Sequence, residues 1–508
     1  MKVYNKIINK LNKFITLKNI LLVIIIITIL LMIPILRVSF YTHPSADDYS
    51  YGINTANVIK NEGIMEVFKG TIKTLNEFYS TWQGTYSAII LFSLNPSVFG
   101  NNMYFLTTFI IIGLLFIAMY YFLKQIINKF LKCDKKIFWI CLLALFLLFI
   151  ETMPDKCQGL FWWNGASFYM IFLALEFLEW GLLVKRYFLG EKTKLNYVLL
   201  SILIAIIGGG NYVTALQQII ILALINIYTL KNKDKSAICL FLIAGLSLGI
   251  SAMAPGNATR QAMLPKMNPV KAIILSFAWG LYKAYIWMTP LNFEVLLLVT
   301  LMLFQTYKNA KIKFNHPIIV ALFAFCIFSA EFTPTLYAQS SIGEGRMHNI
   351  MYISYLIFSL ITLYYIIGSI RNKLISTGIF SKDADKLAMD LIKNNLVLIV
   401  IVISGTMILS IFINRAEMTS YSTNQILKNG MAQKYDEECK ERIKILENKD
   451  IKEVEFKELT VHPYPIFNNE FDPWIESWKN LPAAKIYNKD YIVLVKEWYI
   501  MANTWFCA

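Results

Sequence analysis

The chain has 508 residues, 57% of them hydrophobic and 16% charged, with a formal net charge of +15 and a mean hydropathy of +0.52. A soluble protein of this size is about a quarter charged, so the composition excludes an ordinary water-soluble enzyme. The positive charge does not point to nucleic acid, because the lysines sit in short loops between apolar blocks, where they orient a membrane protein.

Those blocks run to roughly 15–22 residues. Lipid offers no partner for a bare backbone N–H or C=O, so such blocks must be helices; the alternation of a membrane barrel is absent. The first, 19–40, follows Lys2, Lys6, Lys10, Lys13 and Lys18. It is too long for a signal-peptide core and predicts a retained span with a cytoplasmic N-terminus. Ten more spans follow at 103–123, 137–150, 167–184, 195–207, 213–230, 237–253, 291–307, 317–329, 349–368 and 396–413. With this count all the basic clusters fall on one side: Lys124 to Lys136, Lys185 and Arg186, Lys231 to Lys235, Lys308 to Lys313, and Arg371 to Lys393. Segment 270–288 is apolar but interrupted by Lys283. Counting it as a span breaks the charge alternation, so it predicts an interfacial or re-entrant helix. Segment 62–95 mixes Phe68, Phe78, Tyr79 and Trp82 with Lys69, Lys73 and Glu77, predicting one or two helices on the outer surface.

From about Asn414 the polarity returns to soluble values, and parity puts this tail outside the cell. A charged helix at 435–448 and strands at 452–456 and 491–495 are expected there. The expected fold is an all-α polytopic membrane bundle of about eleven helices over 1–413, with a first outer loop at 41–102. A small extracytoplasmic α/β domain over 414–508 completes it. The seven cysteines form no CxxC or Cys/His metal pattern; Cys439 and Cys507 could pair if the tail is outside.

Polar and Gly-, Asn-, Trp- and Arg-containing sequence gathers in the outer loops, so the chemistry is expected there. His43-Pro44-Ser45-Ala46-Asp47-Asp48-Tyr49 follows the first span. Adjacent carboxylates at a membrane boundary are costly to desolvate unless used or solvated. They could act as a general base on a sugar hydroxyl or hold a divalent cation such as Mg or Mn; equally, Ser45 or Asp47 could cap a helix starting near Tyr49. Trp162, Trp163 and Asn164 form a second outer cluster, either an interfacial anchor or an aromatic platform for a sugar or isoprenoid. Gly208-Gly209-Gly210-Asn211-Tyr212 reads as a tight inter-helix turn. Arg260, after Ala254-Pro255-Gly256-Asn257, and Arg346, after Gly343-Glu344-Gly345, suit a phosphate through bidentate donors, or lipid headgroups. Glu176 and Glu179, spaced i and i+3, lie within the fourth span, where they are either functional or a structural pair with a bundle partner.

Five motifs in register, Ser45 to Tyr49, Trp82-Gln83-Gly84, Trp163 to Tyr169, Ala254 to Arg260 and Trp478 to Tyr487, resemble an uncharacterised bacterial polytopic family akin to the phage serotype-converting glucosyltransferases. The resemblance covers nearly the whole chain and implies a GT-C type glycosyltransferase. Such an enzyme takes a sugar from a polyprenyl-phosphate donor at the outer leaflet of the bacterial plasma membrane and passes it to a cell-surface glycan. It implies an essential acid at the position of Asp47 and Asp48, one of which is expected to be the general base of an inverting transfer; Arg260 and Arg346 are expected to bind the donor phosphate, and Tyr49, Trp82, Trp162, Trp163, Asn164, Tyr169, Asn211 and Asn257 to bind substrate or carrier. Gly84-Thr85 departs from the Gly-Arg pair expected before the second span. A flippase or transporter of lipid-linked glycan and a surface-polysaccharide polymerase remain the alternatives.

Overall fold

The computed structural model describes residues 16–230, 234–307, 312–377 and 405–495. The described chain is helical almost throughout. In chain order the helices are α1 Leu17–Val38, α2 Asp47–Glu62, α3 Val67–Thr81, α4 Tyr86–Ser93, α5 Leu106–Leu123 and α6 Lys135–Glu151. Then come α7, the continuous helical run Trp163–Phe188, α8 Lys194–Gly208, α9 Tyr212–Thr229, α10 Lys235–Ala252, α11 Pro255–Ala262, α12 Pro269–Trp287, α13 Pro290–Met302, α14 Pro317–Ala330, α15 Thr333–Gln339 and α16 Gly345–Ser376. A helix over 405–413 leads into α17 Thr419–Lys428 and α18 Met431–Glu447, followed by β1 Glu453–Lys457, α19 Asn480–Tyr487 and β2 Tyr491–Val495.

The helix starts follow from short polar residues placed before apolar runs. Thr16, Asp134, Thr193, Asn211, Asp234, Asn268 and Thr289 each accept a hydrogen bond from a backbone N–H of the first turn they cap. Each occupies one of the orphan donors that lipid would leave bare.

Among the described residues seven helices are long and apolar enough to cross a membrane, or eight if α12 and α13 count as one broken span. Outward side chains such as Leu30, Leu246 and Ile318 are large, apolar and exposed, which suits lipid. The chain is therefore a membrane protein with an all-α bundle. The expected count of eleven is not reached on that measure: α6 and α8 are shorter, and the first half of 396–413 lies outside the described residues, as does Cys507. Segment 270–288 forms α12, bent by 85° from α13. Pro290 sits in the first turn of α13 and cannot continue α12, while Asn292 Nδ2 donates to the freed Trp287 carbonyl at 2.6 Å.

The tail holds two short parallel strands in register, with Val454 opposite Ile492 and Phe456 opposite Leu494. Their inward side chains share a core with Ala483 and Ala484 of α19 and with Tyr49 of α2. The expected helix begins earlier than 435, at Met431, and the first strand runs one residue later than expected. Tail and bundle are joined at several points. Thr419 Oγ1 donates to the Ile150 carbonyl at 2.6 Å, Ser420 N–H and Oγ donate to Glu151 Oε2 at 3.0 and 2.9 Å, and His43 Nε2 lies 3.0 Å from Asp436 Oδ1.

Candidate functional site

The loop after α1 turns at Ala46, which has φ 50°. This left-handed residue starts α2 and folds the Asp48 carboxylate back onto the chain. Asp48 Oδ2 accepts from Ser45 N–H at 3.0 Å and from the Tyr104 hydroxyl at 2.6 Å, and Oδ1 accepts from Asn164 Nδ2 at 2.8 Å. Asn95 Nδ2 donates to the Asp48 carbonyl at 2.9 Å. Asp48 is thus buried, with both carboxylate oxygens bonded, a cross-brace for three segments; the N-cap of α2 is Ala46, and neither Ser45 nor Asp47 caps the helix through its side chain. Burial pushes its carboxyl up to about 7, against the pull of Tyr104, Ser45 and Asn164.

Asp47 is different. It is only partly buried and makes no hydrogen bond through its carboxylate to any described residue. Its desolvated position raises its pKa, while Arg346 and then Arg260 pull it down. The adjacent acids therefore divide: one is held by donors, the other lies free in the field of two guanidinium groups.

Both arginines line a cavity of about 460 Å³. Its polar wall includes Gln83, Thr85, Arg260, Glu344 and Arg346, and its apolar wall includes Leu216, Leu248 and Leu264. Neither Asp47 nor Asp48 lines the cavity itself. Arg260 Nη1 donates to Gln83 Oε1 at 3.0 Å, with the guanidinium 5.5 Å above the Trp82 ring. Arg346, in the first turn of α16, pairs with Glu344 at 3.0 Å and lies 5.6 Å over the Trp162 ring. Its Nε is buried without a partner.

Two separate motifs interlock to make this wall. Asn257 Oδ1 accepts from Gly84 N–H at 3.0 Å. A Cβ on Gly84 would lie 1.8 Å from the Ser251 carbonyl oxygen, and one on Gly256 would lie 2.4 Å from Trp82 N. Both glycines are required by close backbone approach. The contact carries Gln83 onto Arg260.

The other sequence candidates divide. Tyr169, Asn211 and Asn257 line the cavity with the arginines, although Asn211 also caps α9 and donates to the Phe168 carbonyl at 2.9 Å. Trp162 and Trp163 are buried, and their indole N–H groups donate to the Ser45 carbonyl at 3.2 Å and the Leu91 carbonyl at 2.9 Å. They are interior braces rather than an open platform or an interfacial anchor. Asn164 is taken up by Asp48. Tyr49 faces the tail core, stacked on Phe471 at 6.2 Å. Trp82 is half-exposed beneath Arg260.

Gln83, Tyr104 and Glu344 belong to the site's framework but are not among the sequence candidates. Tyr104 accepts from Trp163 N–H at 3.0 Å while donating to Asp48. Nothing in sequence separates it from the aromatic belt at a span's edge. Among the described residues no group of three or more His, Cys, Asp or Glu side chains converges to hold a metal ion. No family model matches the chain, and no curated protein is similar to it at a significant level.

Proposed function

We propose that the chain is a GT-C type membrane glycosyltransferase that inverts the donor sugar. The observation that carries this is the free Asp47 carboxylate in the field of Arg346 and Arg260, two arginines that line one mixed polar and apolar cavity. Asp47 takes the proton of the acceptor hydroxyl as that oxygen attacks C1. The C1–O bond to phosphate breaks, and the guanidinium groups of Arg260 and Arg346 meet the charge gathering on the departing polyprenyl phosphate. The apolar wall suits the carrier's isoprenoid end. Asp48 acts through its bonds to Tyr104 and Asn164, as a positioning residue.

This reading takes the eleven-span arrangement, with the N-terminus cytoplasmic and the loop at 41–102, the cavity and the 414–508 domain facing outward at the bacterial plasma membrane. The donor is a polyprenyl-phosphate sugar and the acceptor a cell-surface glycan. The His43–Asp436 contact makes the tail a support for the Asp47 loop.

Glycan analysis of the cell envelope with and without the gene tests the reading. A single sugar missing from each repeat of a surface glycan supports it, and an unchanged glycan defeats it. A second reading, a transporter of lipid-linked glycan, is favoured by one observation: three carboxyls, Glu176, Glu179 and Glu331, are buried in the bundle. Whole glycans retained on the wrong side of the membrane would favour it.

A further inference from the structure

Below the cavity the bundle contains a set of groups that sugar transfer does not use. Val213 and Leu216 of α9 and Thr333 and Thr335 of α15 line the cavity. One step further in lie Gln217 and Gln218 of α9 and Glu331, between α14 and α15. Gln217 Nε2 donates to Glu331 Oε1 at 2.9 Å, and Gln218 Nε2 donates to Glu179 Oε2 at 2.9 Å. Ser354 of α16 lies 3.5 Å from Gln217 Nε2. Glu176, one turn from Glu179 on α7, feels both other acids and has neither carboxyl oxygen bonded.

All three glutamates are fully buried. Among the described residues none of them takes part in an ion pair, and the groups facing them from α9, α16 and the α14–α15 junction are glutamine amides, a serine and the other acids. Three charges of one sign at this depth are strongly unfavourable without a counter-ion. The amides donate only one bond to Glu179 and one to Glu331, which leaves Oε1 of Glu179 and Oε2 of Glu331 bare. A separate observation also calls for a donor hydrogen: the side-chain Oε1 of Gln218, held beside Glu179 by the amide's other end, is a buried acceptor with no donor. Carboxyl oxygens and an amide oxygen without donors are satisfied by hydrogens or by a cation. The described residues offer no three-acid cage for a metal ion, which favours the proton.

We propose that Glu176, Glu179 and Glu331, with Gln217 and Gln218, form an intramembrane proton-binding site that exchanges protons with the cavity above it. Each carboxylate takes one H⁺ from cavity water, forming one O–H bond and breaking none in the protein. The site stands independently of sugar transfer.

Infrared spectroscopy of the full-length protein in lipid vesicles near neutral pH, in H₂O and D₂O, tests this. The expected result is a protonated-carboxyl band that shifts on transfer to D₂O and loses a share of its area in each of Glu176→Gln, Glu179→Gln and Glu331→Gln. These substitutions keep shape and hydrogen-bonding capacity; size-exclusion elution at the wild-type position checks the fold. A band absent from the wild type, or unchanged in all three variants, overturns the site. So does a band that never shifts in D₂O, because sealed protons are structural and do not exchange with the cavity. A variant that fails to elute normally is replaced by the corresponding aspartate, whose band should move rather than vanish; an unmoved band again overturns the proposal.

Discussion

The Tyr104 hydroxyl donates to Asp48 Oδ2 at 2.6 Å while accepting from Trp163 N–H at 3.0 Å. One phenol therefore ties the first loop to the entry of α7. Tyr104→Phe leaves a buried carboxylate oxygen and a buried amide short of a partner, at a cost of about 1–3 kcal/mol each. The expected outcome is a clearly lower melting temperature in detergent, with Asp47→Asn close to wild type in the same assay.

Asp48→Asn should destabilise as well. An amide NH₂ would face one of the three donors that now point at the carboxylate. The pH dependence has a definite sign. Asp48 titrates at about 7 in the fold, above an ordinary aspartate, so the folded state favours the proton. That preference stabilises fully below about pH 4 and is lost as pH rises through 7. Melting of Asp48→Asn, which has no such proton, should lack this part of the pH dependence.

For Asp47 the neighbours set the limb. Removing Arg346 or Arg260 removes positive charge that lowers its pKa. In Arg346→Ala and Arg260→Ala the acid limb of the transfer rate should move to higher pH, the larger shift coming from Arg346. Rate–pH profiles of the purified variants measure this directly.

The tail's attachment is open to a local test. Glu151 Oε2 accepts both Ser420 N–H and Oγ. Glu151→Ala should raise hydrogen–deuterium exchange across α17 without changing the strands β1 and β2.

Much of the fold was legible because lipid leaves the backbone few choices. Apolar runs preceded by Thr, Asn or Asp became capped helices at α6, α8, α9 and α10, and the alternation in the tail became β1 and β2. Composition did not fix span lengths. Ending the ninth span at Ser329 left Glu331 outside it, whereas the apolar run continues across the α14–α15 junction to Gln339 and brings that acid beside Gln217. In the site, charge type led to Asp47, Arg260 and Arg346, but adjacent acids look alike until geometry separates them: Ala46 at positive φ turns one into a buried brace and leaves the other free. Tryptophan at a span's edge usually faces headgroups, and only packing shows the Trp162 and Trp163 indole N–H groups turned inward.

The most direct test of the account is sugar transfer from a synthetic polyprenyl-phosphate sugar by the purified protein in vesicles, comparing wild type with Asp47→Asn. General-base assistance is worth roughly 10²–10⁴-fold. A loss of that order with unchanged melting is expected. Transfer at the wild-type rate by a folded Asp47→Asn protein would contradict it.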